Sequence, residues 1–239
     1  MRFDILTLFP EMFDGVLTAS IPGRAARNGV VSYNVHNIRD WTTDRHDRVD
    51  DRPFGGGPGM VMMCQPLYDA VLAVEKMDDE PAERILLSPQ GRRLDQAIVE
   101  ELATRPRLLM IAGRYEGIDE RVIEELQPRE ISIGDYVLSG GELPALVLAD
   151  AITRLIPGAL GHDDSAAEDS FTLHTDDGTR LLDAPHYTRP RVWRERTVPE
   201  VLISGDHGAV DAWRRAEMEQ RTSDRRPDLL DTEKNDPTQ

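Results

Sequence analysis

Lysine is almost missing from this chain: Lys76 and Lys234 are its two lysines, so 26 of its 28 basic residues are arginine. Cysteine is scarcer still. Cys64 stands alone, which excludes an intramolecular disulfide and any zinc site built from several thiolates. Long apolar runs are absent too. None reaches the ~18–20 residues a membrane span needs, and the opening "MRFDILTLFP" lacks the apolar core and cleavage site of a secretory leader. A cytoplasmic protein with no membrane partner is expected. Positive charge is in deficit, with 28 basic against 44 acidic residues and a net charge of −16. A surface of that sign repels nucleic acid over about a Debye length, ~8–10 Å, so any RNA contact has to be local. Arginine suits such contacts, being planar and bidentate, although coding bias alone accounts for the excess.

Phosphate-binding signatures are also lacking. Neither G-x-G-x-x-G nor G-x-x-x-x-G-K-[ST] opens a helix. "FGGGPG" (54–59) follows the polar run "DDRP" rather than a strand, and a flexible hinge explains it as well as ligand contact does.

What the chain does have is alternation. "RFDILTLF" (2–9) and "GVVSYNVHNI" (29–38) read as strands, "EMFDGVLTAS" as a short helix, 39–60 as a long polar loop and 65–77 as a helix. Strand, short turn and helix then recur three times: 84–88 with 94–105, 107–113 with 119–126, and 129–137 with 143–156. That is the pattern of a parallel sheet with crossover helices. Pro157-Gly158 stops the last helix, and small polar residues follow. The expected organisation is an α/β domain over 1–157, a linker over 158–175 and a small, mostly helical domain over 176–239. The last nine residues read as frayed.

In open α/β sheets, ligands bind beyond the C-terminal ends of the strands. Three glycine-bearing turns fall there: "SPQGRR" (88–93), "GRYEGID" (113–119) and "IGDYVLSGGE" (133–142). Each turn alone is more economically structural; three at one edge point to a small molecule. The last two carry Glu116, Asp135 and Glu142 against Arg114. Carboxylates beside close-packed backbone disfavour a pyrophosphate and tolerate a ligand with a positive centre and an adenine. S-adenosylmethionine, with a sulfonium and an ammonium, has those features.

"LFPEMF" (8–13), "DDRPFGGGPGMVM" (50–62), "LSPQGRRLDQ" (87–96), "GRYEGIDERV" (113–122), "SIGDYVLSGGELPA" (132–145), "EDSF" (168–171) and "PHYTRP" (185–190) resemble, in order, the motifs of the bacterial tRNA (guanine-N1)-methyltransferase family. The resemblance implies a SPOUT-like α/β fold with a deep trefoil knot. It implies methyl transfer from S-adenosylmethionine to N1 of guanosine 37, next to the anticodon. It also implies a homodimer whose active sites are shared between chains. Carried over motif by motif, the cofactor loops are Leu87, Ser88, Pro89, Gln90 and Gly91; Gly113, Tyr115, Glu116 and Gly117; and Ile133, Gly134, Asp135, Tyr136, Val137 and Leu138, with Gly140, Gly141 and Pro144. Asp169 resembles the base that removes the N1 proton, and Arg154 the residue that stabilises charge on guanine O6. Solvation of a linker and a helix C-terminus are their plainer roles. Mg²⁺ is a further implied ion, with no ligand cage evident in the sequence. "DRHDRVDD" (44–51) reads as exposed charge.

For tRNA, Arg189, Arg191, Arg194 and Arg196 lie among Tyr187 and Trp193, with Glu195 the one acid of that stretch. Core packing is the plainer role for Trp193 and Trp213. Two departures from the family pattern bear on tRNA docking: "TLHTDDGTR" (172–180) is long, and the chain stops soon after "RRPDLL".

Overall fold

The computed structural model describes residues 1–160, 169–175 and 178–230. The chain divides into two compact units, Met1–Asp163 and Asp164–Gln239. Residues 161–168 of the expected linker lie outside the described residues, as do the last nine residues.

The first unit is built on a five-stranded sheet in the order β2-β1-β6-β5-β7, comprising β1 (Arg2–Thr7), β2 (Ser32–Asn37), β5 (Glu83–Arg93), β6 (Arg107–Ala112) and β7 (Arg129–Ser132). All neighbouring pairs are parallel. Side chains alternate between the two faces of a strand, and the core divides accordingly. Phe3, Ile5, Leu108 and Met110 pack on one face with residues of α2 (Ser20–Arg27), α4 (Gln96–Ala103) and α6 (Glu142–Thr153). Leu6, Leu109 and Ile111 pack on the other with α3 (Cys64–Glu75) and α5 (Glu120–Leu126). Both faces are covered, so β6 is buried at every residue, which explains the apolar run from Leu108 to Ala112.

A buried ion pair sits at one end of this core. Asp4, fully buried in β1, meets the buried Arg107 at 2.8 Å, Arg2 at 2.9 Å and His36 at 3.1 Å. Burial pushes its carboxyl up, but hydrogen bonds from His36, Arg2 and Arg107 outweigh that and lower it to about 2. Arg107 also donates to the carbonyls of Val74, Glu75, Asp78 and Glu80, gathering the end of α3 and the segment after it.

The three β/α repeats stand where the sequence places them, with altered edges. The strand read at 129–137 stops at Ser132, where its hydroxyl accepts from Gly134 N at 3.2 Å and turns the chain. β5 runs on to Arg93, but its pairing with β7 shifts between Leu87 and Arg92, so residues 88–91 bulge from the ladder. The helix read at 143–156 spans Glu142–Thr153. Helix α2 was hidden by Pro22 and Gly23, ordinary helix breakers. Pro22 falls in its first turn, where no N–H is needed. α1 (Asp14–Leu17) lies inside the short helix expected there, and a short hairpin pairs β3 (Asp50–Asp51), within the polar loop, with β4 (Val61–Met62), just after it.

The second unit is only partly helical. It has a 19-residue helix, α7 (His207–Arg225), and a short hairpin, β8 (Val192–Trp193) with β9 (Arg196–Thr197). Asp206 caps α7 by accepting from Ala209 N at 3.0 Å. Leu181, Ala184 and Met218 form a small core with Leu173 against it. Thr222 accepts from Leu182 N at 2.9 Å, pinning the irregular segment to the helix.

Candidate functional site

The three glycine-bearing turns converge on one cavity of about 320 Å³ at the C-terminal ends of β5, β6 and β7. Its size falls in the range of small-molecule sites. The bulge after β5 contributes Leu87, Ser88, Pro89 and Gln90. The turn after β6 contributes Gly113, Tyr115, Glu116 and Gly117. The segment after β7 contributes Ile133, Gly134, Tyr136, Val137 and Leu138, then Gly140, Gly141 and Pro144.

Gly91 and Asp135 are outside the lining. A Cβ on Gly91 would collide with the backbone of Glu130 and Ile131. Its bareness lets the returning end of β5 press against β7, which is a packing role.

Gly141 shows what the sequence makes room for. Its φ of −81° is open to any residue, so conformational freedom is not the reason for glycine. A Cβ there would stand 2.7 Å from Ala112 Cα and 3.0 Å from Gly113 N. The segment after β7 thus lies directly on the end of β6, and Gly141 N donates to Gly113 O at 2.8 Å. In the sheet order, β5 separates β6 from β7, so this segment crosses the end of β5 to get there.

An ion pair braces the crossing. Glu142, the first residue of α6, is buried, and its two carboxylate oxygens lie 3.0 and 2.9 Å from Arg114 Nε. Thr7 donates to the same carboxylate at 2.9 Å. Glu142 Oε2 has no hydrogen bond among the described atoms; its contact with Arg114 is ionic. Arg114 also donates to Ser139 O at 3.2 Å and lies 4.4 Å from the Phe9 ring centroid. The charge pattern read from the sequence is corrected here. Arg114 and Glu142 neutralise one another, Asp135 is off the lining, and Glu116 remains as a carboxylate of the wall. Among the described lining residues, Arg114 is the basic one and it is engaged. The cavity therefore lacks the cationic cradle of a phosphate site and fits a ligand with a positive centre.

Tyr115 takes a left-handed backbone, φ 64°, a conformation that non-glycine residues adopt where surroundings enforce it. Burial and the neighbouring Asp50 carboxylate push its phenol up. The hairpin carrying Asp50 was not read as part of a site. It braces the turn after β6: Glu116 N donates to Met60 O at 3.0 Å, and Met62 N to Gly117 O at 2.9 Å. The "DDRPFGGGPG" run was a signal for it, but nothing local says which turn it touches.

Arg154 caps the far end of α6. Ten helical steps separate it from Pro144 on the cavity wall, roughly 15 Å of rise, more than its side chain spans. Asp169 belongs to the second unit, half-buried at the start of a turn in which Thr172 N donates to Asp169 O at 3.1 Å. The stretch 44–51 holds Asp44 and Arg48 in an exposed ion pair at 2.7 Å. Among the described residues no group of three or more His, Cys, Asp or Glu side chains could hold a metal ion. No helix among them is long and apolar enough to cross a membrane.

Comparison with known proteins gives a match between residues 1–232 and the family described as tRNA (Guanine-1)-methyltransferase TrmD. Relatives named tRNA (guanine-N(1)-)-methyltransferase include one from Rhodopirellula baltica, 53% identical over 241 residues, covering 100% of this chain and 98% of the relative. One from Halorhodospira halophila is 58% identical over 96% of this chain and 84% of its own. One from Pseudomonas putida is 56% identical over 97% and 90%.

Proposed function

We propose that this chain, which belongs to the tRNA (guanine-1)-methyltransferase family, transfers the methyl group of S-adenosylmethionine to N1 of guanosine 37 of tRNA. The observation that carries the proposal is the convergence of three turns on one phosphate-averse cavity in a chain matched to that family over residues 1–232. A cytoplasmic location follows from the substrate.

Bound there, S-adenosylmethionine supplies an electrophilic methyl group on sulfur. The bare backbone of Gly113, Gly140 and Gly141 seats the adenine, and the Glu116 carboxylate faces positive charge on the ligand. Asp169 takes the proton from guanine N1 as the N1–methyl bond forms and the sulfur–methyl bond breaks. Arg154 faces O6, where charge gathers as N1 loses its proton. The distance between Arg154 and the cavity along α6 supports the rest of the reading. A second copy of the chain completes the site, in a homodimer in which cofactor walls and catalytic groups come from different protomers. The crossing of the segment after β7 over the end of β5 supports a trefoil knot. The division into a donor-binding part, a linker and a tRNA-binding part belongs to the same reading. The described residues do not fit a resident Mg²⁺.

Mass spectrometry of tRNA incubated with the protein and methyl-labelled donor tests the proposal. The expected product is 1-methylguanosine at position 37, and tRNA with adenosine there should stay unlabelled. Full labelling of the altered tRNA removes the position-37 assignment. At the cofactor wall, Gly141→Ala is expected to weaken donor binding by roughly 5- to 150-fold, as ~1–3 kcal/mol of overpacking implies. Calorimetry on the folded variant reads it, and wild-type affinity would contradict the close approach.

A further inference from the structure

The hairpin β8–β9 contributes nothing to the core of its unit, yet it carries an aromatic ring. Every residue from Arg191 to Thr197 is exposed. Trp193 is 58% exposed and Val192 54%, whereas the core of the unit is made by Leu181, Ala184 and Met218. Trp213, the other tryptophan of this unit, is half-buried and tilted against Tyr187 at 6.3 Å. Core packing therefore does not explain Trp193.

The turn that presents this ring is unusual. Arg194 and Glu195 both have positive φ, 45° and 67°, where Asn-Gly or Asp-Gly is the ordinary choice. Two long charged side chains are held at left-handed positions, a local cost. The Arg194 guanidinium lies over one face of the Trp193 ring, 4.9 Å from its centroid, a cation–π contact that places positive charge beside the exposed ring.

Charge around the ring is unbalanced. Arg191 is paired with Glu200 at 2.7 Å, but Arg189, Arg194 and Arg196 have no carboxylate partner among the described residues. In a chain with 44 acidic residues, carboxylates are plentiful, and three arginines gathered without one mark a surface kept for an anionic partner.

We propose that the β8–β9 hairpin is a platform for an unpaired nucleotide of the tRNA, with Trp193 stacking on a splayed base and Arg189, Arg194 and Arg196 on the flanking phosphates. The inference rests on the reading of tRNA as substrate. A flat aromatic face with a stacked guanidinium suits a base, because every base has a π-face, and recognition of single-stranded RNA uses this arrangement. An acidic peptide would satisfy the arginines but leave the Trp193 face without a flat partner.

The test uses the full chain. Because Trp193 lies outside the core, Trp193→Ala is expected to keep the wild-type melting temperature and donor affinity. It should raise KM for tRNA by ~10-fold, in line with the loss of one stacked base, with kcat at saturating tRNA unchanged. Trp193→Tyr, which retains a stacking ring, should recover most of the loss. In filter binding, the pair Arg194→Ala and Arg196→Ala should flatten the dependence of log affinity on log salt by about 1.4, two contacts at ~0.7 each. Wild-type KM in Trp193→Ala overturns the proposal, as does Trp193→Tyr behaving like alanine. A change in oligomeric state with unchanged tRNA binding also overturns it, and assigns the hairpin to a protein contact. Filter binding requires no methyl transfer. Failure of the enzymatic reading, with tRNA bound but unmodified, is therefore distinct from failure of the platform, with tRNA modified at wild-type KM by Trp193→Ala.

Discussion

Asp169→Asn is expected to bind S-adenosylmethionine and tRNA as the parent protein does and to lose ~10²–10⁴-fold in turnover, the range that a positioned general base supplies. Asparagine keeps the shape of the side chain but cannot accept the N1 proton. Backbone and neighbouring groups hold the turn around it. Phe171 N donates to Leu181 O at 2.7 Å, Thr172 N to Asp169 O at 3.1 Å, and Asp183 N to Ser170 Oγ at 3.0 Å. None of these three bonds uses the Asp169 carboxylate. Single-turnover methyl transfer at saturating donor and tRNA isolates the chemical step, and calorimetry checks donor binding separately. The same variant separates an enzyme from a binding module in which the three turns serve only architecture. Turnover within a few-fold of wild type would remove Asp169 from the proton transfer. Loss of donor binding would instead make its role structural.

What the sequence makes legible follows from the range of the forces involved. The repeats of strand, turn and helix are local, and periodicity places them at nearly their observed positions. The three turns are local as well, and the rule that ligands bind at strand C-termini brings them to one edge before any coordinates are known. Of the eighteen residues that the family resemblance implies for those turns, sixteen line the cavity. Gly91 and Asp135 do not, because adjacency in sequence cannot say which residues of a turn face a ligand.

The rest depends on contacts between distant segments. Glu142 looks like an acidic neighbour of the ligand until Arg114, 28 residues earlier, is seen to bind its carboxylate. The hairpin carrying Asp50 looks like a polar loop until Met62 pairs with Ile118. Helix α2 is lost to its own Pro22 and Gly23, since the exemption of a first-turn proline requires knowing where the helix starts. In the arginine-rich stretch, the charge is visible in the sequence, but the exposure of Trp193 is not. An aromatic ring among polar residues fits a core and a platform equally well until packing decides.

Arg114→Ala should have the largest effect on the fold near the cavity. Glu142 is 1% exposed, and the Arg114 guanidinium is its ionic partner. Removing the arginine leaves a carboxylate at the start of α6 with the Thr7 hydroxyl as its remaining hydrogen-bond donor among the described residues. Breaking a buried pair on one side costs ~3–5 kcal/mol, most of it from the stranded charge. The α6 N-terminus softens this, since a helix start favours negative charge by ~0.3–1 kcal/mol. Arg114 also ties Ser139 and Phe9 to the turn after β6. Donor binding is therefore expected to fall along with stability, as the Gly140–Gly141 wall loses its brace. The double variant Arg114→Ala with Glu142→Gln discriminates between these effects. Neutralising the stranded group should recover a large part of the urea stability, while the contacts to Ser139 and Phe9 stay lost and donor affinity stays weak. A single variant within ~0.5 kcal/mol of wild type, the scatter of an ordinary surface change, would mean that water reaches Glu142 and that the ion pair does not brace the crossing. Recovery of both stability and affinity in the double variant would mean that the whole effect is electrostatic, and that the backbone of the two turns holds the cavity open without Arg114.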